Sequence, residues 1–301
     1  IADWSSLPTE VSVEFFRERI PADQLVERLQ QFAAIVVMRE KTPLPAAVID
    51  ALPQLRLIVT TGMKNASIDL DAAAQNDVLV CGTGGGGQST AELTWALILG
   101  ILRQVTLNDR AMREGDWQRA LGGDLIGRTL GVVGLGRLGS KVATIARAFD
   151  MRVIAWSPHL TVERAAAGGA TLVSKEELFA TADFVTLHLA RSPTTTKIVT
   201  AQDIGRMQPH AFLVNTARAG LVDTDALRAA LADGRIAGAA LDVFNEEPLP
   251  ATAWERSAST VLLSPHTGYV TRDNYTCMYG EAVRDILAYL AGDPVRILTT
   301  N

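Results

Sequence analysis

The sequence predicts an α/β protein with two domains, each built on a doubly wound parallel sheet. Three observations support this fold class. The length of 301 residues exceeds that of one typical domain. Short β-branched runs alternate with helical patterns, which is typical of parallel sheets covered on both faces. A composition with 48% hydrophobic and 20% charged residues indicates ordered cores rather than disorder.

The first alternating series occupies the beginning of the chain. Buried strands are predicted for AAIVVM (33–38), LRLIVT (55–60) and DVLVC (77–81), and a helix is predicted for PADQLVERLQQ (21–31). The series ends at GTGGGGQS (82–89), where glycine permits positive φ angles. We interpret this stretch as an interdomain hinge.

One long helix is predicted over 89–117. Ser89 followed three residues later by Glu92 is an N-cap signal at its start. The stretch is mostly apolar early and polar late, as expected of an element that runs between domains.

A second alternating series begins at Thr129, and it predicts a second parallel sheet. The strands are predicted over 129–134, 152–156, 184–189, 211–215 and 237–243, and the helices over 140–149, 174–182 and 224–234, with Gly234 as a C-cap. The last amphipathic stretch, 272–292, is predicted to be a helix that folds back onto the first domain.

Composition argues against several classes of protein. The formal net charge of -5 gives no reason to expect a nucleic acid or an anionic membrane as partner. Cys81 and Cys277 cannot form a disulfide framework, and they are expected to be buried thiols in a reducing compartment. No metal site is predicted. No apolar run is long enough to span a bilayer and no secretory signal is present, so a cytoplasmic protein is predicted, although a chain that begins with Ile1 leaves open a short leader.

The strongest local motif is GVVGLGRLGS (131–140), which contains Gly134-x-Gly136-x-x-Gly139 between a predicted strand and a predicted helix. The first glycine permits a tight turn, the second lets the backbone approach a pyrophosphate, and the third allows close packing of helix on strand. Backbone N–H groups at the helix start, including those of Arg137 and Leu138, would meet the phosphates. The motif therefore predicts a dinucleotide-binding site.

Ser157 stands where this motif expects an acidic residue that binds the ribose hydroxyls. Serine still offers a hydrogen bond but does not repel a 2′-phosphate, and His159 and Arg164 are the nearest cations. Ser157 is predicted to face the adenosine ribose. The sequence leaves open whether the cofactor is NAD or NADP.

Polar residues follow several predicted strands, at the edge where open parallel sheets bind ligands. Arg218 follows 211–215 and is suited to binding a carboxylate. Asp242 ends the next strand, either Glu246 or Glu247 is placed to orient a histidine, and His266 follows in SPHTG. These residues are candidates for acid–base chemistry on a small carboxylate.

Two further histidines are assigned structural roles. His188 lies within a predicted apolar strand, and His210 lies in the loop before another strand. His266 differs from both because a nucleotide motif, an arginine and a glutamate occupy comparable loop positions.

Four segments together resemble the D-2-hydroxyacid dehydrogenase family: 125–139 with LGVVGLGRLG, 207–227 with VNTARAGLVD, 237–250 with ALDVFNEEPLP, and 262–268 with LLSPHTG. The resemblance covers nearly the whole chain. It implies a flavodoxin-like substrate-binding domain and a Rossmann-like dinucleotide-binding domain, with a cleft between them. We expect residues 1–88 and 270–301 in the first domain and residues 89–269 in the second.

The resemblance also implies roles for individual residues. The catalytic set would be Arg218, Glu247 and His266, with Glu247 rather than Glu246 beside the histidine. The cofactor would also contact a set in the loops that follow the strands, namely Thr216, Ala217, Asp242 and Gly268. Met63 and Lys64, in the loop 61–69, would bind the substrate carboxylate together with Arg218. Lys64 departs from the usual glycine, which puts substrate size in doubt.

The implied activity is hydride transfer between NAD(P)(H) and a D-2-hydroxy acid or 2-oxo acid pair. A glyoxylate- or hydroxypyruvate-like substrate is one possibility, and phosphoglycerate and bulkier oxo acids fit the catalytic set as well. The retained histidine–glutamate pair argues against formate. The end of the chain at residue 301 is taken to argue against the larger phosphoglycerate dehydrogenases. The alternative is a dinucleotide-sensing module that resembles transcriptional corepressors of the same fold. The resemblance also implies a homodimer formed through the nucleotide domain.

Overall fold

Buried parallel strands form one sheet in each of two units of the chain. The computed structural model describes residues 1–85 and 88–299. The first unit comprises Ile1–Gly86 and Thr271–Asn301, and the second comprises Gly87–Val270. The predicted fold class, α/β with two parallel sheets, is confirmed.

The limits of the units lie close to the domain boundaries expected from the sequence. The expected segments, 1–88 with 270–301 and 89–269, each differ from those limits by no more than two residues. The predicted hinge, 82–89, includes residues 86 and 87, which lie outside the described residues.

The first unit is built on a sheet of three parallel strands in the order β1-β2-β3. Its strands are β1 (Ala34–Val37), β2 (Leu57–Thr60) and β3 (Leu79–Gly82), and its first helices are α1 (Leu25–Leu29), α2 (Ala46–Ile49) and α3 (Leu70–Gln75). All four residues of the central strand β2 are buried, as expected of a strand covered on both faces. The three predicted strands are confirmed.

The second unit is built on a sheet of seven parallel strands in the order β10-β9-β8-β7-β4-β5-β6. The strands are β4 (Thr129–Val133), β5 (Arg152–Trp156), β6 (Thr171–Leu172), β7 (Phe184–Leu187), β8 (Phe212–Asn215), β9 (Gly238–Leu241) and β10 (Val261–Leu263). The helices are α4 (Gln88–Leu102), α5 (Val105–Arg113), α6 (Arg137–Ala148), α7 (Val162–Ala167), α8 (Lys175–Thr181), α9 (Ala201–Arg206) and α10 (Thr224–Ala232). The chain reverses its direction across the sheet between β4 and β7, and ligands of open α/β sheets bind at such a switch point.

The single helix predicted over 89–117 is wrong, because the chain forms two helices there. Helix α4 ends at Leu102 and α5 begins at Val105. Between them Gln104 adopts a left-handed backbone with φ of 52°. No proline or glycine marks this break in the sequence. The buried face of α4 ends at Leu102, just before the break, whereas in α5 only Ala111 is buried.

The last helix, α11 (Arg272–Leu290), confirms the helix predicted over 272–292. Its residues Ala282, Val283 and Ile286 pack with residues of β2 in the first unit. Asp285 on the same helix is fully buried and accepts a hydrogen bond of 2.9 Å from Arg296 Nε. Burial raises the pKa of this carboxyl group, and the ion pair with Arg296 opposes that shift.

The chain also contains short 3-10 helices at Trp4–Ser6, Ala22–Gln24, Arg39–Lys41, Ala219–Leu221 and Trp254–Arg256. In the described part of the chain no helix has both the length and the apolar character needed to cross a membrane. The same residues contain no group of three or more His, Cys, Asp or Glu side chains placed to hold a metal ion.

The two cysteines differ in their surroundings. Cys81 is fully buried in β3, and burial raises its pKa to about 11. Cys277 lies on α11 and is exposed, so the expectation of two buried thiols is wrong for this residue. Its side chain lies on the outer face of an amphipathic helix, which sequence hydropathy alone did not distinguish.

Candidate active site

The glycine motif forms a tight turn between β4 and α6. Gly134 has φ of 100°, and a Cβ atom there would lie 2.9 Å from the carbonyl carbon of His188. A Cβ atom on Gly139 would lie 2.2 Å from the carbonyl oxygen of Gly134. Both positions therefore require glycine. At Gly136, by contrast, a Cβ atom would meet nothing within 4 Å.

The space beside Gly136 lies at the start of α6, a helix of 12 residues. Gly136 is the N-cap and provides no side-chain hydrogen bond. The first residues of the helix are Arg137 and Leu138, whose N–H groups belong to the set that has no acceptor within a helix. Open space and uncapped N–H groups fit the pyrophosphate of a dinucleotide.

Ser157 lies directly after β5, half-buried, at the start of a turn closed by a 3.2 Å hydrogen bond from Leu160 N to its carbonyl oxygen. His159 in this turn is exposed. Arg164 Nη1 donates to the carbonyl oxygen of His159 over 3.2 Å, which holds the guanidinium group at the same turn. Ser157, His159 and Arg164 thus lie together on the loop that follows β5.

Asp242 organises the loop that carries His266. Its carboxylate is 1% exposed and accepts hydrogen bonds from Ser264 Oγ at 2.6 Å, Thr267 N at 2.8 Å and Gly268 N at 2.9 Å. His266 lies between these donors with φ of 55°, in the left-handed region that non-glycine residues seldom adopt. The hydrogen bonds on both sides of His266 hold this backbone conformation.

His266 and Glu247 form a close pair. His266 Nδ1 lies 2.6 Å from Glu247 Oε2. The side chain of His266 is 20% exposed and that of Glu247 is 26% exposed. The other oxygen of Glu247 accepts from Phe244 N at 3.1 Å. Of the two glutamates left open by the sequence, the structure pairs Glu247 with the histidine, whereas Glu246 is exposed. Because Glu247 occupies Nδ1, Nε2 is the nitrogen left for a substrate.

Arg218 follows β8 in a turn that is held by Asn215. The side chain of Asn215 is buried, donates to the carbonyl oxygen of Arg218 at 2.9 Å and accepts from Ala217 N at 3.0 Å. Thr216 Oγ1 lies 2.8 Å from Thr94 Oγ1 on α4. Sequence reasoning did not single out Asn215, although it is the first residue of the NTAR segment.

An open pocket brings the predicted catalytic residues together. Its empty volume is about 340 Å³, including space open to solvent. Arg218, Glu247 and His266 line it, and so does Arg191, which sequence reasoning did not identify. The pocket lies at the carboxyl ends of β7, β8 and β9, in the second unit.

The remaining predicted substrate residues, Met63 and Lys64, lie in the first unit, exposed in the loop after β2. Asn65 holds this loop by donating to Thr60 Oγ1 at 2.9 Å and to the carbonyl oxygen of Arg39 at 2.8 Å. The guanidinium group of Arg39 lies under Gly62, with Nη1 3.4 Å from the position of a Cβ atom there. Arg39 is a second cation that the sequence did not bring to attention.

His188 lies at the end of β7 beside Gly134. Its Nε2 atom is 3.0 Å from Thr186 Oγ1, and within residues 1–85 and 88–299 its buried Nδ1 atom has no hydrogen-bond partner. Burial lowers the pKa of His188 to about 4, so the ring is neutral at pH 7. This agrees with the structural role assigned to His188.

Comparison with known families gives one match that covers more than half of the chain. Residues 95–268 match the family model described as D-isomer specific 2-hydroxyacid dehydrogenase, NAD binding domain.

Similar proteins carry related names. The chain is 34% identical over 270 residues to a D-3-phosphoglycerate dehydrogenase of Synechocystis sp.. That alignment covers 88% of this chain and 48% of the relative. It is 35% identical over 295 residues to the D-3-phosphoglycerate dehydrogenase of Archaeoglobus fulgidus, and this alignment covers 97% of this chain and 55% of the relative. The chain thus spans about half the length of the curated relatives it matches.

A solved structure, the phosphoglycerate oxidoreductase from Vibrio cholerae, superposes with a TM-score of 0.88 at 34% identity. The superposition covers 92% of this chain and 90% of that one.

The neutral, buried state of His188 predicts a loss of stability in acid. An unfolded histidine takes up a proton near pH 6.5, whereas the folded ring resists protonation until about pH 4. The contribution of neutral His188 to the free energy of unfolding is therefore fully present above pH 6.5. It is lost as the pH falls towards 4, by about 3 kcal/mol in total. Urea unfolding of His188→Gln should show a shallower decline between these pH values, whereas the exposed control His210→Gln keeps the wild-type slope. Equal slopes for wild type and His188→Gln contradict this assignment.

The hydrogen bonds of Asp242 predict the effect of Asp242→Asn. The amide NH2 group cannot accept a hydrogen bond, so at least one donor in the His266 loop loses its partner. We expect the free energy of unfolding to fall by about 1–3 kcal/mol. Amide hydrogen exchange in 264–268 should become faster. Asp233→Asn, at the exposed end of α10, is the control and should leave exchange unchanged. Unchanged exchange in Asp242→Asn would show that the carboxylate does not hold the loop.

Proposed function

The chain belongs to the D-isomer specific 2-hydroxyacid dehydrogenase family, and from this premise we propose that it interconverts a D-2-hydroxy acid and its 2-oxo acid. The observation that carries this proposal is the pair of His266 and Glu247, 2.6 Å apart, in one pocket with Arg218. A histidine oriented by a carboxylate beside an arginine is the arrangement that proton transfer on a small carboxylate substrate requires.

The glycine turn between β4 and α6 supports binding of a nicotinamide dinucleotide. Gly134, Gly136 and Gly139 would hold the pyrophosphate together with the N–H groups at the start of α6. When bound, the dinucleotide supplies the hydride acceptor or donor. For the nicotinamide half we propose contacts in the loops after β8 to β10, from Thr216, Ala217, Asp242 and Gly268.

The chain's own residues would divide the remaining work. Arg218 binds the substrate carboxylate through its N–H donors and polarises the adjacent carbonyl group. In the oxidation direction His266 accepts the proton of the C2 hydroxyl group at Nε2 while the C2 hydride leaves. In reduction His266 returns that proton to the carbonyl oxygen. Glu247 holds the ring through Nδ1, which leaves Nε2 directed towards the substrate.

For the substrate we propose D-3-phosphoglycerate, in place of the glyoxylate- or hydroxypyruvate-like substrate expected from the sequence. The names of the similar proteins support this choice.

His266→Ala tests the catalytic proposal. We expect kcat for the oxidation of D-3-phosphoglycerate to fall by about 10²–10⁴-fold, because no other group replaces the proton acceptor. The Kd of NADH, measured by fluorescence titration, should stay within about twofold, since His266 does not belong to the glycine turn. His210→Ala, an exposed histidine outside the pocket, is the matched control.

Two outcomes would contradict the proposal. Normal turnover by His266→Ala would remove the histidine from the mechanism. Binding of NADH by the wild type without turnover of any 2-hydroxy or 2-oxo acid would favour the dinucleotide-sensing module.

We further propose that the chain accepts both NADH and NADPH. Ser157 brings no negative charge to the loop after β5, and Arg164 is held at that loop by the carbonyl oxygen of His159. A 2′-phosphate would therefore meet a cation and no carboxylate from residue 157.

Ser157→Asp tests the cofactor proposal. A carboxylate at this position repels a 2′-phosphate and binds ribose hydroxyls, so kcat/KM with NADPH should fall about tenfold or more while that with NADH holds or rises. Ser257→Asp introduces the same charge in a different exposed loop and should change neither value. Two results would contradict the cofactor proposal: no turnover of NADPH by the wild type, or an unchanged ratio of kcat/KM for NADPH and NADH in Ser157→Asp.

For the partner we propose a second copy of the chain, bound through the dinucleotide-binding unit. Six large apolar side chains are exposed on α5 and in the segment from α5 to β4: Val105, Leu107, Met112, Trp117, Leu121 and Ile126. An exposed apolar stretch of this size is typical of a surface that is covered in an assembly. The cytoplasmic location stays a prediction.

A further inference from the structure

Arg191 has no role in the proposed chemistry, yet it lines the same pocket as Arg218, Glu247 and His266. It lies in the loop after β7 and is exposed. Across the described ranges, 1–85 and 88–299, its guanidinium group forms neither a hydrogen bond nor an ion pair with the protein. A cation that lines a pocket in this way is available to a ligand.

The backbone around Arg191 is fixed on both sides. Ser192 N donates to Thr195 Oγ1 at 2.7 Å, and the same hydroxyl donates to the carbonyl oxygen of Ala190 at 2.8 Å. Lys197 N donates to the carbonyl oxygen of Gly220 at 2.8 Å. These bonds hold the loop against the turn that follows Arg218.

Gly220 provides the room that the side chain of Arg191 occupies. A Cβ atom on Gly220 would lie 3.0 Å from Nε and 3.3 Å from Cζ of Arg191. A side chain at position 220 would require the guanidinium group to shift. Because Gly220 is two residues after Arg218, both arginines border the same short turn.

Arg191 forms no ion pair with the described residues that line the pocket, so no protein carboxylate neutralises its charge. Arg191 and Arg218 are permanent cations, and Glu247 is the one carboxylate among the lining residues. Both oxygens of Glu247 already accept hydrogen bonds, from His266 and from Phe244 N. A 2-oxo acid with one carboxylate engages Arg218 and leaves Arg191 without an anion. A substrate with a second anionic group would engage both.

We propose that Arg191 determines substrate specificity by binding the phosphate of a phosphorylated 2-hydroxy or 2-oxo acid whose carboxylate pairs with Arg218. This inference rests on the proposed function. Phosphate is the favoured second anion because a guanidinium fork forms two parallel hydrogen bonds with its oxygens, and because a dianion gains more from an exposed cation than a carboxylate does. A second carboxylate and a cofactor phosphate are the competing ligands, and the test separates them.

The experiment compares wild type, Arg191→Gln, Arg191→Lys and the control Arg228→Gln, which removes the same charge from the exposed face of α10. Initial rates are measured with 3-phosphohydroxypyruvate, 2-oxoglutarate and glyoxylate. For Arg191→Gln we expect kcat/KM with the phosphorylated acid to fall about 10- to 100-fold, mainly through KM. Values with glyoxylate should stay within about twofold. Arg191→Lys should keep part of the activity, and Arg228→Gln all of it.

Three results would overturn the inference. An equal loss with glyoxylate would make Arg191 a general structural or catalytic group. An equal loss with 2-oxoglutarate would mean that Arg191 binds any second anion. An increased Kd of NADH or NADPH in Arg191→Gln would assign Arg191 to the cofactor.

Equilibrium binding separates failure of this inference from failure of the proposed function. D-3-phosphoglycerate is titrated into wild type and Arg191→Gln by calorimetry in the presence of NADH. If the wild type turns over no substrate, the proposed function fails. Weaker binding to Arg191→Gln than to the wild type would then still support a phosphate contact, whereas equal or undetectable binding to both would overturn it.

Discussion

The carboxylate of Asp242 is the constraint on which the candidate active site depends. It is almost fully buried, and a buried charge is tolerated only when hydrogen bonds replace its hydration. Among the described residues, the hydrogen bonds that the carboxylate accepts all come from 264–268, so the charge stays buried only while this loop keeps its conformation. The left-handed backbone of His266 costs on the order of 1 kcal/mol or more, and the bonds to Asp242 offset that cost. The close pair of His266 and Glu247 then follows from the backbone, because the ring leaves the loop at a fixed position.

Adjacent parallel strands explain why residues distant in sequence meet. Strands β8 and β9 pair in a register that places Asn215 beside Leu241, and the chain leaves both strands at the same edge of the sheet. After β8 the chain forms the turn that contains Arg218, and after β9 it forms the loop that begins with Asp242. Asn215 holds the turn of Arg218 by a hydrogen bond to its backbone, and Asp242 holds the loop of His266 in the same way. Both side chains are buried and polar. The sheet thus sets the distance between the two loops, and the two side chains set the shape of each loop.

Hydrophobic periodicity was sufficient for most of the fold, because buried parallel strands are continuous apolar runs bounded by turns. It failed at Gln104, where a left-handed residue breaks the helix although neither residue between α4 and α5 is a proline or a glycine. The catalytic candidates could be named because they follow strands, and the choice of Glu247 over Glu246 required the family resemblance or the structure. Arg191 and Arg39 were missed for a physical reason: an isolated arginine is usually a solvated surface residue, and only the folded chain shows which residues it lies beside.

The residues proposed for catalysis and the residue proposed for substrate selection follow different strands of the same sheet. The residues proposed to move the proton and bind the carboxylate are fixed by buried hydrogen bonds after β8, β9 and β10. Arg191 comes from the loop after β7, which is tied by hydroxyl and backbone bonds of its own and by one bond to Gly220. A change of side chain at position 191 therefore alters the charge of the pocket without breaking a bond made by Asp242 or Asn215. Such an arrangement would let the proposed catalytic set serve substrates of different charge, even though the loop of Arg191 is held against the turn of Arg218 through Gly220.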